Sequence, residues 1–213
     1  MSPVAATWAA FAFFAVLMLV GGIFHQRTLR TPPGPTGKPS PPWPSITKVQ
    51  FAGSGQKMAV LLDRFGEDGR QALKKATTRF DDLMIIPGYT GALLALSLLC
   101  ASAIRQSGSA PVIAVGLGAC VLAALLTIEA AGFDYFETRA TMRVLSAPWH
   151  EIPIPPTPNA SEAADRHEKR REQIASIDAA SRAITRLATM KFCCLASSVV
   201  ALFVAAVIAC AVR

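Results

Sequence analysis

Apolar residues along this chain gather into four long runs, Val4–Phe24, Leu83–Ile104, Pro111–Ala131 and Phe192–Val212. Each run holds 21 or 22 residues. At a helical rise of ~1.5 Å per residue that is about 32 Å, enough to cross a hydrocarbon core of about 30 Å. The runs are uncharged or nearly so, which sets them apart from the buried helices of a soluble domain. The pattern predicts an all-α membrane protein with four transmembrane helices.

The stretches between the runs have patterns of their own. Residues 31–45 contain seven prolines around Trp43. Each proline removes a backbone donor and fixes φ, so an extended, semi-rigid arm is expected. Residues 51–80 read as two short amphipathic helices. The first starts at Ser54 as N-cap, places Met58, Leu61, Leu62 and Phe65 on one face and ends at Gly66. The second runs from Glu67, with Lys74, Lys75 and Arg79 late in the helix, as the helix dipole prefers. This pair is expected to lie either on lipid headgroups or on another protein. A second arm, Pro148–Pro158, carries five prolines. From Ser161 onward there is neither Pro nor Gly, so a helix capped by Ser161 should run on into the fourth span. Its apolar positions Ile174, Ile177, Ser181, Ile184 and Ala188 form a narrow seam.

The expected organisation is therefore a first span over 1–25, a proline-rich arm over 26–50, amphipathic helices over 51–82 and a transmembrane hairpin over 83–137. A second proline-rich loop over 138–160 and a helix continuing into the fourth span over 161–213 complete it. The chain has 213 residues, 52% of them hydrophobic and only 16% charged, with a net charge of +7. Ten Lys and Arg lie between the first and second runs and nine between the third and fourth. Arg105 and Arg213 are the two on the other side. Such asymmetry predicts both long loops in the cytoplasm and both termini outside it. The first run, with no basic residue before it and no small-x-small site after it, reads as a retained anchor. Anionic lipid headgroups are the expected partners of the basic face, with no role for nucleic acid. The five cysteines, Cys100, Cys120, Cys193, Cys194 and Cys210, all fall in the runs without metal or haem spacing and read as small apolar residues.

Candidate chemistry concentrates at the feet of the hairpin. Two antiparallel crossings return Asp82 and Asp134 to one membrane face; Glu137 shares a helical face with Asp134, and Tyr89 stands nearby. Glu129 lies about one turn deeper, where an ionised carboxylate is costly unless paired, protonated or hydrated. Such a cluster suits a divalent metal held by oxygen, a proton relay or an acid/base pair. The simpler expectation is a cap neutralised by Arg79, Arg139 and Arg143. Small residues recur every four positions in the fourth span (Ser197, Ala201, Ala205, Ala209) and, more briefly, at Ala114–Gly118 and Ala119–Ala123 in the third, the pattern of close packing with another span of this chain or with a partner helix.

The stretches Phe51–Ser54, Leu61–Arg70 and Asp82–Tyr89 resemble a family of small, uncharacterised bacterial membrane proteins. In that family a Gly-Arg helix end leads to an Asp-x-x-x-x-Pro-x-Tyr span start, and the next span closes on Asp-x-x-Glu-Asn. Here the closing motif reads Asp134-Tyr135-Phe136-Glu137-Thr138, with Thr in place of Asn. The resemblance covers about residues 51–138. It implies a helical protein of the bacterial inner membrane and brings no activity with it. No nucleophile-base order, phosphate loop or metal-type histidine cluster is present, so no catalytic residue, metal or cofactor is expected. The chain reads as a non-catalytic accessory subunit of a larger membrane complex, such as an energy-transducing one. The alternative is a small membrane enzyme or ion- or lipid-handling protein working through Asp82, Glu129, Asp134 and Glu137.

Overall fold

A computed structural model of the chain describes residues 2–29, 44–106, 109–147, 149 and 160–211. Among these residues every regular element is helical. They are α1 (Pro3–Thr28), α2 (Ile46–Gln50), α3 (Gly55–Ala76), a π-helical segment (Thr77–Ile85), α4 (Ile86–Arg105), α5 (Ala110–Ser146) and α6 (Ala160–Ala211). Four helices are long and apolar enough to cross a membrane, as the four apolar runs require, and the molecule is an integral membrane protein. The proline-rich arms lie outside the described residues, apart from Pro44, Ser45 and Trp149. Helix α5 continues beyond the expected end of the hairpin to Ser146, because no helix breaker is met until Pro148. The residue before a proline is turned away from helical geometry. Helix α6 begins at Ala160, one residue ahead of the cap expected at Ser161.

The helices divide between two units. The first unit (Met1–His25, Thr78–Tyr135, Thr189–Arg213) is the membrane bundle. Its polar positions are few and its interior is built from small side chains. Ile104 of α4, fully buried, meets Cys120 of α5 and Ala205 and Ala209 of α6. One level along, Leu93 and Leu96 of α4 pack on Ala123, Ala201 and Leu202. Helix α1 joins through glycine. A Cβ added at Gly88 would stand 2.7 Å from the Met18 backbone nitrogen, and one at Gly91 2.3 Å from Phe14 Cγ. Only a bare backbone allows this approach, and dispersion from such close packing is what holds helices together where lipid is as apolar as the side chains.

The second unit (Gln26–Thr77, Phe136–Ala188) has a conventional apolar core. Ser54 caps α3, its side chain accepting from the Lys57 backbone N–H at 3.3 Å. Gly66, at φ 59°, breaks α3 into two segments, where the sequence places the end of one amphipathic helix and the start of the next. The apolar stripe of these segments, Met58, Leu62, Phe65 and Leu73, is buried against Val144 and Leu145 of α5 and Ile177 and Ile184 of α6. The face expected to meet lipid or another protein is thus covered within the chain. The narrow seam of α6 suffices because Ile177, Ser181, Ile184 and Ala188 are each almost wholly buried.

Between α3 and α4 the chain takes the wider π-helical turn over Thr77–Ile85. Pro87 supplies the physical reason: its ring would clash with the carbonyl of Leu83 in a regular α-helix, and it offers no N–H to that carbonyl. Widened turns of this kind change the angular register of the residues that follow and recur at functional positions.

Candidate functional site at the polar end of the bundle

Five elements of the membrane bundle contribute polar side chains that pair between helices: the end of α1, the π-helical segment, α4 at Tyr89, α5 around Asp134 and the start of the bundle portion of α6. Tyr89 donates its hydroxyl to Asp134 Oδ2 at 3.0 Å. Lys191, only 5% exposed, donates from Nζ to Asp134 Oδ1 at 2.9 Å. Both carboxylate oxygens of Asp134 are therefore occupied, one by a phenol and one by an ammonium. A buried lysine requires such a partner, since an unpaired ammonium in this setting is very costly.

A second tie lies on α1. His25, 7% exposed, sits with Nδ1 2.8 Å from Asp81 Oδ1, and the Phe24 and Phe80 rings stack beside it at 5.8 Å between centroids. His25 Nε2 has no hydrogen-bond partner among the described residues. A carboxylate on one imidazole nitrogen fixes the ring and its tautomer. Here that fixes the last turn of α1 against the π-helical segment. Deeper in the bundle, Thr127 and Ser198 bring their hydroxyls to 2.8 Å. Each also donates to, or competes for, the Ala123 carbonyl, at 2.8 Å from Thr127 and 3.0 Å from Ser198.

The expected acidic cluster is distributed over these ties. Asp134 and Tyr89 meet directly, and Asp82 is half-buried in the same unit. Glu129 is exposed on α5, its carboxylate 3.9 Å from the Cys194 thiol. Glu137 is buried at 4% exposure, but it belongs to the second unit. The partners of Asp134 and Asp81 are Lys191 and His25, from α6 and α1, where the sequence suggested the nearby arginines. Among the described residues no group of three or more His, Cys, Asp or Glu is arranged to hold a metal ion.

The small-residue stripes are buried within the bundle only in part. Ala201, Ala205 and Ala209 are buried as expected, but Ser197 is exposed and its neighbour Ser198 takes the buried position. On α5, Ala114 and Gly118 face outward, and nothing stands within 4 Å of a Cβ built on Gly118. The buried line of that helix is Gly116, Cys120, Ala123, Thr127 and Ala130.

The second unit holds a clasp that sequence reasoning did not single out. Trp149, 7% exposed, donates its indole N–H to Asp63 Oδ1 at 3.0 Å. Arg170 lies over the indole ring at 4.5 Å and pairs with Asp63 Oδ2. Arg70, paired with Glu67, donates to the Trp149 carbonyl at 3.3 Å and 3.4 Å. The one available signal was the tryptophan between Pro148 and His150, an expensive residue to leave in a solvated arm. At the other end of α3, Gly55 meets α6, its N–H bonded to Asp178 Oδ1 at 2.7 Å. That N–H, with Arg182 close by, holds the Asp178 carboxyl below the usual carboxylate value. Between α2 and α3 a shallow groove of about 680 Å³ is lined by Phe51, Val60 and Leu61, with Lys48 and Lys57 at its rim.

Comparison with protein-family models, with curated proteins and with solved structures returns no match.

Proposed function

We propose that this chain is a non-catalytic accessory subunit that helps to assemble and stabilise a larger complex in the bacterial inner membrane. The observation that carries the reading is the use to which the bundle puts its acidic groups. Asp134 is saturated by Tyr89 and Lys191, and Asp81 is bound to His25. Each pair joins two helices. Carboxylates committed in this way fix the positions of helices. The distribution of basic residues supports a cytoplasmic second unit, its lysines and arginines near anionic headgroups, with both termini outside. The resemblance over residues 51–138 supports the bacterial setting.

The bundle presents apolar helix faces suited to a bilayer, and the second unit has an apolar core of its own. The test is purification of the tagged chain, at native abundance and in mild detergent, followed by sizing and mass spectrometry. Other integral membrane proteins should accompany it in fixed stoichiometry. A single species containing this 22.6 kDa chain alone overturns the reading.

A further inference from the structure

Glu129 is where the bundle departs from its own logic. Asp81 and Asp134 point between helices, whereas Glu129 is exposed on the outer face of α5 among Leu125 and Ile128, which are more than half exposed. It precedes Asp134 by five residues, so it lies about 7.5 Å further along α5 towards the apolar run than the Asp134–Lys191 tie, just inside the end of that run. An ionised carboxylate facing lipid at that depth is costly and normally turns to a partner. Among the described residues the chain supplies none of opposite charge. The Cys194 thiol at 3.9 Å is a weak donor without charge, and the Lys191 ammonium is buried and bound to Asp134.

The surroundings of Glu129 admit another helix. Gly132 lies one turn away on α5, with nothing within 4 Å of a Cβ built on it. Helices α5 and α6 run antiparallel in a register fixed by Thr127–Ser198 and Asp134–Lys191. That register sets the exposed Ser197 within one residue of the level of Glu129. The outer face therefore carries a carboxylate, a glycine notch and a hydroxyl inside an apolar border, which is the composition of an interface between membrane helices.

We propose that this face docks a transmembrane helix of a different protein, one that presents a lysine or arginine to Glu129. The inference rests on the accessory-subunit reading and names the chemistry of the partner. A second copy of this chain does not fit. Within the bundle, His25 and Lys191 are both buried and both bound to aspartates. Arg79 precedes Asp81 by two residues and so stands on the far side of that tie from the hydrocarbon. A second copy would set one carboxylate against another.

The experiment places a photo-crosslinking amino acid at Leu125 of the whole chain, in its native membranes and at native abundance. The adduct is identified by peptide mass spectrometry, in parallel with native gels of the same membranes. The expected adduct is a membrane-spanning peptide of another protein with a Lys or Arg near the crosslink. Its yield should fall about tenfold or more in Glu129→Lys, which sets like charges together. It should fall less in Glu129→Gln, which keeps the side-chain shape. Retention of the α1 packing in both variants is checked by disulfide formation in the double substitution Phe24→Cys with Phe80→Cys, in a background without the native cysteines. Adducts with lipid alone or with a second copy overturn the proposal, and so does a yield that Glu129→Lys leaves unchanged. If the native gel shows a larger complex while the Leu125 probe traps only lipid, the accessory-subunit reading stands and this inference falls. If the chain migrates alone, both fall.

Discussion

Replacing Trp149 by Phe and by Ala separates the packing of the second unit from its polar clasp. The indole is 7% exposed and makes one side-chain hydrogen bond, to Asp63 at 3.0 Å. The two Arg70 hydrogen bonds go to the Trp149 backbone carbonyl and survive either substitution. Trp149→Phe loses the indole N–H, worth about 0.5–1.5 kcal/mol net. It weakens the stacking of Arg170, a cation–π contact worth about 0.5–1 kcal/mol near the surface. Asp63 is not stranded, because it remains paired with Arg170 and its side chain is 40% exposed. The sum is about 1–2 kcal/mol, a factor of roughly 5–30 in an opening equilibrium. Trp149→Ala removes the whole ring from the core and should cost about 3–5 kcal/mol.

Hydrogen exchange of the whole chain in nanodiscs reads these numbers directly, in the amides of α3 from Met58 to Phe65. Those amides are protected by the core to which Trp149 contributes, and their exchange reports the local opening free energy. Exchange should rise by roughly 5–30-fold in the Phe variant and by at least about a hundredfold in the Ala variant. An Ala variant within about twofold of the parent refutes the placement of Trp149 in the core, since ~0.4 kcal/mol is the size of a neutral surface change. Equal effects of Phe and Ala refute the separate contributions of the indole ring's bulk and its hydrogen bond. Combining Trp149→Phe with Asp63→Ala should recover a coupling of about 0.5–1.5 kcal/mol, because each change alone breaks the same bond.

Three further outcomes follow from the packing. Gly88→Leu should detach α1 from α4, since even a Cβ there would lie 2.7 Å from the Met18 backbone; disulfide formation between cysteines substituted for Phe24 and Phe80, whose rings now stack, should disappear with it. Thr127→Val removes the hydroxyl pair with Ser198 and should weaken the α5–α6 contact by about 0.6 kcal/mol, at most ~1.7, measured as resistance to denaturing detergent. The second unit should lose stability in acid through Asp178, held low first by the Gly55 N–H and then by Arg182. A lowered folded pKa gives stability that is present above the usual value of 3.8 and disappears as pH falls through the folded value. Glu67, held low by the Gln71 amide and Arg70, acts with the same sign. Asp178→Asn with Glu67→Gln should therefore flatten the decline of tryptophan fluorescence below pH 3.8, and an unchanged acid limb would discard this account.

The contrast between the two units explains which parts of the molecule were legible in the sequence. In the second unit polar and apolar positions alternate, so the stripe Met58, Leu62, Phe65 is readable from spacing alone, and it is the stripe that is buried. Gly66 is likewise readable as a break, because a helix-ending residue stands between two amphipathic segments. The destination of that stripe is not readable. Its partners Val144, Ile177 and Ile184 come from far along the chain, and Trp149 sits in an arm whose prolines hide any periodicity.

In the membrane bundle both faces of every helix are apolar, so length announces the span while its rotation leaves no mark. Spacing then becomes a poor guide. An α-helix advances about 100° per residue, so a strict four-residue repeat drifts by about 40° at each step. Over the three steps from Ala209 back to Ser197 the drift is about 120°, which carries Ser197 out of the contact. The true line mixes threes and fours, as in Ser198, Ala201, Ala205 and Ala209, or Gly116, Cys120, Ala123, Thr127 and Ala130 on α5. The same geometry accounts for the acidic residues. Asp134 and Glu129 are five positions apart, hence about 140° apart around α5. One turns inward to Lys191 and Tyr89, and the other must turn outward. The outward carboxylate is thus a consequence of placing both residues on one helix, and it is the group for which we propose a partner helix.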